Sequence, residues 1–197
     1  MTPNDELRKP REEAAIVLDY LPNGYPFENK PAHLKSPVAQ AVGKTRFVLL
    51  ELVPRTGTAL QPLEEVYIGE GKRDKIHHIQ GRLAFERLTH TARAELEFVL
   101  KDIVQKEEAR FVEFFNKAQP LSTRMHSLEL LPGMGKKRMW EIVNERKIRP
   151  FSSFQDMQDR IKLMPDPRKV IISRILEELQ GLDKHSIFVE RAAPPRE

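Results

Sequence analysis

The sequence contains no cysteine, which excludes disulfides, thiol catalysis, iron–sulfur clusters and zinc sites built on cysteine ligands. Long apolar runs are also missing, and none approaches the roughly 20 residues that a membrane-spanning helix needs. The first residues, 1–6, are polar and lack the apolar core of a signal peptide. These absences predict a soluble, cytoplasmic protein with no membrane partner.

Recognisable catalytic motifs are scarce as well. There is no phosphate-binding P-loop, nucleophile elbow or cluster of metal-binding carboxylates. The adjacent histidines His77 and His78 are expected to point to opposite faces of a strand and therefore not to share a metal ion. Asp156 and Asp159 follow a glycine-rich turn at a distance seen in some base-excision glycosylases, but the larger helical domain that builds a base-flipping pocket is missing. We therefore predict no catalysis, cofactor, metal or small-molecule substrate.

The charge of the chain is unevenly distributed. Residues 1–120 carry 18 basic and 18 acidic residues, whereas residues 121–197 carry 15 and 11, so the whole net charge of +4 lies in the second part. Six basic residues fall between Lys136 and Arg149, against two acidic ones. A cluster of this kind is typical of a polyanion partner, although a solvated helical face would look the same.

Short runs of β-branched and aliphatic residues indicate about five strands before residue 88. They suggest a small barrel, and a five-stranded OB-fold is one of the few that fits. The predicted strands are a single strand at 14–20, a hairpin of 38–42 with 46–53, and a second strand pair of 64–68 with 75–82.

Two loops of this region carry aromatic and basic residues, with which OB-folds commonly bind single strands. Alternatively, the aromatic residues pack on the barrel and the basic turn is merely solvated. The predicted secondary nucleic-acid-binding residues are Tyr25, Phe27, Lys30 and Lys35 in the loop 21–37, and Lys72, Arg73 and Lys75 in the turn after the fourth strand.

After residue 88 the apolar residues recur at helical spacing. One long helix is predicted at 91–116, with Thr91 as its N-cap. Four short helices follow: one that begins at Ser122 or Thr123 and ends at Pro132, one at about 136–146, one near 154–161, and one from Pro167 that Gly181 ends.

The turn between the first two short helices is the strongest candidate site. Its sequence is Leu131-Pro132-Gly133-Met134-Gly135-Lys136-Lys137, in which the glycines permit unusual backbone angles and the methionine is expected to point inward. The first amides of the next helix have no intrahelical partner, and the helix dipole favours an anion there. A phosphate oxygen suits these donors. The predicted nucleic-acid-binding residues are Gly133, Met134, Gly135, Lys136, Lys137, Arg138 and Arg149.

This turn resembles the helix-hairpin-helix motif of DNA- and RNA-binding proteins. The match covers residues 131–135 and continues with Ile142 and Arg146 in the second helix. Met139 departs from the motif, because that position is usually alanine. A tight helix–helix turn without a ligand is the alternative interpretation.

Two neighbouring features have more modest interpretations. The segment 163–168 looks like a degenerate second hairpin, but it has no glycine and Asp166 would repel phosphate, so we predict a structural role. Trp140, the single tryptophan, falls just off the apolar face of its helix. It is expected to cover the edge of the core or, alternatively, to stack on a partner.

From Ala14 to Phe188 the sequence resembles DUF655, an archaeal family of unknown function. The most similar stretches are 114–121 and 128–137. The resemblance implies an OB-like N-terminal domain joined to a C-terminal helix-hairpin-helix domain. It also implies nucleic-acid binding, most often described as RNA binding.

We therefore predict an α+β protein that binds nucleic acid, RNA rather than DNA. The alternative is an assembly factor that docks on a ribosomal or transcription protein, which would make the translation or transcription machinery its partner. The predicted organisation is a flexible tail at 1–11, an OB-like β-barrel at 12–88, a connecting long helix at 89–119, an all-helical helix-hairpin-helix domain at 120–185 and a C-terminal tail at 186–197.

Overall fold

The structure is a computed structural model that describes residues 12–26, 31 and 35–191, which form an α+β protein. These residues divide into two units. The first unit contains the chain up to Val99 and again from Val189, and the second unit is Leu100–Phe188. The chain therefore leaves the first unit, forms the second and returns.

The first unit is built on a five-stranded antiparallel sheet with the strand order β4-β1-β2-β3-β5. The central strand β2 is buried along its whole length. Alanines at 39 and 41 leave room there for the larger residues of neighbouring elements, Leu52, Leu60 and Ile68 among them. The strands are β1 (Ala14–Leu21), β2 (Val38–Gly43), β3 (Leu49–Pro54), β4 (Glu65–Tyr67) and β5 (Ile76–Arg82).

The predicted pairing of the last two strands is wrong. β4 pairs with β1, where Val66 lies opposite Ala15, and β5 pairs with β3, where Ile79 lies opposite Leu52. Each of the two strands thus pairs with an apolar inner strand of the sheet, and they do not pair with one another. In the described residues β4 and β5 are the two edges, and the sheet is curled into a half-barrel without closing.

The predicted long helix is two helices, α1 (His90–Lys106) and α2 (Glu108–Lys117). The helical conformation is interrupted at Glu107, whose backbone angles are φ −104° and ψ 31°. The predicted N-cap, Thr91, is also wrong by two residues, because the hydroxyl of Thr89 accepts from the amide of Ala92 at 3.0 Å, as an N-cap does.

The segment before the candidate site is not the predicted α-helix. It is a small hairpin of β6 (Pro120–Ser122) and β7 (Met125–His126), followed by one 3-10 turn at Ser127–Leu130. His126 Nδ1 accepts from the amide of Leu128, and Glu129 accepts from the amide of His126, so the two side chains cap this turn reciprocally. The capped turn explains why a helical apolar spacing at 125, 128 and 131 does not become a full helix.

The remaining helices agree with the sequence prediction to within two residues at each end. Ser153 caps α4 and Asp166 caps α5, each through its side-chain oxygen. In the described residues no helix is both long and apolar enough to cross a membrane. The helices are α3 (Lys136–Ile148), α4 (Phe154–Arg160) and α5 (Pro167–Leu179).

Residues 186–191, predicted to belong to a loose tail, are held in place. The buried carboxylate of Glu178 accepts from the amides of Ile187 and Phe188 at 2.7 and 2.9 Å. Within the first unit, Glu190 forms ion pairs with Arg46 and Arg82. Residues 1–11 and 192–197, the other predicted tail positions, lie outside the described residues.

Candidate nucleic-acid interface

The turn at residues 131–135 has the geometry of a tight hairpin. Gly133 has φ +72°, in the left-handed region that favours glycine, and a side chain there would meet no atom within 4 Å. Met134 is only 3% exposed, and its amide donates to the carbonyl of Leu131 at 3.0 Å. The methionine therefore anchors the turn as expected, but its buried side chain is not available for the nucleic-acid contact predicted for it.

Gly135 differs from the expectation that it needs unusual backbone angles. Its φ of −74° and ψ of 169° are extended, a conformation open to any residue. No atom lies within 4 Å of the position that a Cβ would occupy. The benefit of glycine here is thus an open approach to the backbone.

Gly135 is also the N-cap of α3, and no side chain caps this helix. The first turn of α3 contains no acidic residue. An uncapped helix start leaves amide donors without intrahelical partners and carries the positive end of the helix dipole. This end of α3 is therefore suited to an anion.

Lys136 and Lys137 lie in the first turn of α3 and are exposed. Within the described ranges neither ammonium group forms an ion pair or a side-chain hydrogen bond. Their charges remain available next to the free amides.

Arg138 has a different role from the two lysines. Its Nη1 donates to the carbonyl of Gly133 at 2.6 Å, and its Nη2 donates to the carbonyl of Leu163 at 3.0 Å. The guanidinium thus ties together two turns of the second unit, and the predicted phosphate contact by Arg138 gives way to a positioning role.

Arg149 and Arg146, at the other end of α3, are also engaged. Arg149 pairs with Asp156 at 2.8 Å while its side chain stays largely exposed. Arg146 donates to the carbonyls of Phe115 and Ala118, both at 2.8 Å. Asp156 additionally accepts from the amide of Ser152 and from an arginine, and these partners lower the pKa of its carboxyl group. Asp156 therefore serves to hold the start of α4.

The segment after α4 repeats the backbone of the first turn. Leu163 has φ +56°, and the amide of Met164 donates to the carbonyl of Ile161 at 3.2 Å, as Met134 does to Leu131. Here the helix is capped, because Asp166 accepts from the amide of Arg168 at 3.0 Å. In this second turn a carboxylate of the protein itself occupies the helix start, where an anion would otherwise be favoured.

A groove of about 560 Å³ lies beside the first turn, between the β6–β7 hairpin and α3. Trp140 lines it and is 55% exposed, so it covers the core edge only in part and leaves much of its side chain open in the groove. Arg124, Lys136 and Met139 line the same groove. The position of Trp140 just off the apolar face of its helix was the sequence signal for this groove. The opposite wall, the β6–β7 hairpin, could not be anticipated because that segment was predicted to be a helix.

His126 also lines the groove. Burial lowers the pKa of its imidazole, and the charge of Arg146 lowers it further, against the opposing effect of Glu129. Because Nδ1 accepts from the amide of Leu128, the neutral ring carries its proton on Nε2. The imidazole is thus kept neutral as part of the capped turn.

Tyr25 and Lys35 of the predicted secondary site are engaged in the fold of the first unit. The Tyr25 hydroxyl donates to Glu51 at 2.7 Å and accepts from Gln40 at 3.0 Å, and burial raises its pKa to about 12. Lys35 donates to the carbonyl of Tyr25 at 2.9 Å. The alternative interpretation, packing on the sheet, thus applies to Tyr25. Phe27 and Lys30 lie outside the described residues.

The predicted basic turn is mostly paired as well. Lys75 forms an ion pair with Glu64, and Arg73 Nε donates to the carbonyl of Gly69 at 2.8 Å. Lys72 is exposed, with no ion pair or side-chain hydrogen bond in the part of the chain that the structure describes. The nearby groove of about 290 Å³ contains carboxylates as well as arginines, which is a poor match for a polyanion. Its charged lining residues are Glu12, Glu70, Arg73, Arg82 and Glu190.

His77 and His78 do not point to opposite faces as predicted. Their Nδ1 atoms are 2.8 Å apart and their ring centroids 5.0 Å apart. The register of β5 against β3 shifts at this point, so a bulge brings the adjacent rings together. Among the described residues no three histidine, aspartate or glutamate side chains are grouped so that they could hold a metal ion.

Comparison with known proteins assigns a family but no activity. The model of the family described as "Protein of unknown function (DUF655)" matches residues 11–190. The uncharacterized protein MJ0038 of Methanocaldococcus jannaschii is 44% identical over 181 residues, which cover 91% of this chain and 80% of that protein. The crystal structure of Af1531 from Archaeoglobus fulgidus, also 44% identical, covers 91% of this chain and 100% of that chain with a TM-score of 0.81.

Proposed function

Because the chain belongs to the DUF655 family, whose function is unknown, we propose from its own geometry that it is a nucleic-acid-binding protein that grips the phosphate backbone at the start of α3. One observation carries the proposal: α3 begins without a side-chain cap at an unobstructed glycine, beside two lysines that lack partners among the described residues. A phosphate oxygen can accept from the free amides while the ammonium groups neutralise its charge.

The architecture supports the proposal in its finer form. Turn 131–135 followed by α3 serves as a helix-hairpin-helix motif whose first helix is reduced to a 3-10 turn. The curled five-stranded sheet serves as an OB-like domain and a second contact surface, for which Lys72 is the best remaining candidate. Tyr25 and Lys35 stabilise this domain through their hydrogen bonds and do not contact the ligand themselves.

RNA is the favoured ligand, as the sequence resemblance implies. Backbone amides and lysines read phosphate and not the sugar or the base, so the site itself predicts broad sequence tolerance. Each binding measurement should therefore compare the affinity for an RNA with the affinity for a DNA of the same sequence.

The test is a salt titration of the full chain and of the double variant Lys136→Ala with Lys137→Ala. Wild type should bind oligonucleotides at low salt, and affinity should fall steeply as salt rises. The double variant should bind all sequences more weakly and should reduce the slope of log K against log salt by about one to two units. Lys162→Ala with Lys169→Ala, two exposed lysines near the capped turn, is the matched control and should retain the wild-type slope.

The alternative function, an assembly factor docked on a ribosomal or transcription protein, makes the opposite prediction. Apolar docking depends weakly on salt, and it would not be sensitive to the two lysines. Equal affinity of the double variant and wild type at low salt would remove the start of α3 from the contact site and favour this alternative.

A further inference from the structure

The groove between the β6–β7 hairpin and α3 contains the most exposed aromatic surface of the described second unit. Trp140 is 55% exposed there, whereas Phe111, Phe115, Phe151 and Phe154 are buried. A large aromatic side chain left in water at the wall of a groove has an apolar face with no intramolecular partner. This surface is not needed for the core, which Met139, Ile142 and Val143 of α3 supply.

Trp140 and the proposed phosphate site share one face of α3. Lys136 precedes Trp140 by four residues, so the two side chains are neighbours along the helix, about 6 Å apart in rise. Both line the groove. A strand whose phosphate is held at Lys136 would therefore carry the attached base towards Trp140.

We propose that this groove binds an unpaired nucleobase, stacked on the indole of Trp140, so that the protein prefers single-stranded or bulged nucleic acid over a regular duplex. The inference rests on the proposed function and adds its substrate class. At about 560 Å³ the groove falls within the size range of small-molecule sites and has room for a base and its sugar. A base inside a duplex is already stacked and cannot enter it.

The charges around the groove complement this occupant. Arg124 and Lys136 provide positive charge for the flanking phosphates. Among the described residues that line it, Glu129 is the only acidic one, and its carboxylate is engaged with the amide of His126 at 2.9 Å. An aromatic face between basic side chains is the arrangement with which proteins bind single strands with little sequence preference.

The single tryptophan of the chain makes the test direct, because its fluorescence reports on this groove alone. The full chain is titrated with three labelled ligands of equal length: a single strand, the same strand with abasic positions, and a duplex. The single strand should quench the fluorescence strongly, whereas the abasic strand and the duplex should quench it little. Anisotropy of the labelled ligands gives the affinities independently.

Two variants separate stacking from a structural role. Trp140→Leu should weaken single-strand affinity about tenfold and should leave duplex affinity and the melting temperature unchanged. Trp140→Phe, which keeps an aromatic ring, should recover most of the lost single-strand affinity. Ile148→Ala, a change at another exposed apolar residue of α3 outside the groove, should alter none of these values.

The outcomes distinguish the two proposals. If abasic and intact strands bind and quench equally, or if Trp140→Leu binds single strands as wild type does, the stacking site is wrong while the phosphate site stands. If none of the three ligands binds at low salt, the proposed function fails, and the inference fails with it.

Discussion

The turns at Gly133 and Leu163 share a backbone and differ in their chemistry. Each places a left-handed residue before a buried methionine whose amide bonds back to a buried aliphatic residue. The first turn opens an uncapped helix beside exposed lysines, whereas the second opens a helix capped by Asp166. The comparison shows that one hairpin backbone serves two different helix starts, and that the residue at the helix start sets the chemical difference between the turns.

The largest expected effect comes from obstructing the approach to the first turn. Gly135→Val should lower nucleic-acid affinity at least tenfold, because a branched side chain would occupy the space next to the free amides. Folding stability should fall by no more than about 1 kcal/mol, because the extended backbone at this position suits valine although valine is a poorer N-cap than glycine. Affinity and melting temperature should be measured on one sample.

A matched control for this change is Gly81→Val. Gly81 also has open space around its Cβ position and no positive φ, but it lies in β5 of the first unit. The Gly81→Val protein should bind nucleic acid with the affinity of wild type. A folded Gly135→Val protein with wild-type affinity would mean that the amides are not the phosphate site and that the basic residues act as a plain charged surface.

The next prediction concerns Arg138, whose guanidinium links the turns at Gly133 and Leu163. Arg138→Met should cost about 2 kcal/mol of unfolding free energy, because two carbonyls lose a charged donor. The buried Nε of Arg138, which has no acceptor among the described residues, reduces the net loss. Urea unfolding gives the value, and Lys137→Ala, at an exposed neighbour, should leave stability unchanged. Unchanged stability with weaker binding would instead make Arg138 a ligand contact.

The smallest effect concerns the left-handed residue of each turn. Leu163→Gly should stabilise the protein by about 0.5 kcal/mol, because relief of left-handed strain slightly exceeds the added flexibility of the unfolded chain. Gly133→Ala should destabilise it by about 1 kcal/mol for the same reason with the opposite sign. Thermal melts of both variants test the equivalence of the turns, and two shifts in the same direction would contradict it.

The sequence predicted the features that depend on local spacing. The start of α3, the approximate ranges of α4 and α5, and the inward position of Met134 followed from residue type and helical period. Strand pairing does not depend on local spacing. β4 and β5 follow one another in the sequence but lie at opposite edges of the sheet.

The charge distribution of the sequence indicated the segment that contains the candidate site, but it did not show which basic side chains in that segment are exposed. Lys136 and Arg138 look equivalent in the sequence, yet Lys136 is exposed, whereas Arg138 bonds to a carbonyl of the adjacent turn at Gly133 and to one of the distant turn at Leu163. Trp140 was expected to cover the core edge because it falls just off the apolar face of α3, whereas it lines a groove whose opposite wall, predicted as a helix, is a β-hairpin and a capped 3-10 turn. Contacts between residues far apart in sequence decide both cases.

The position of Glu190 has a consequence for the order in which the protein is made. Its partners Arg46 and Arg82 belong to the first unit, but Glu190 follows the entire second unit in the sequence. On the ribosome the two arginines emerge long before their carboxylate is synthesised, so they wait without it while residues 100–188 are added. The second unit is continuous and receives all of its own residues in one passage. Translation therefore supplies the amino-terminal unit with these two ion pairs only after residues 100–188 have been synthesised.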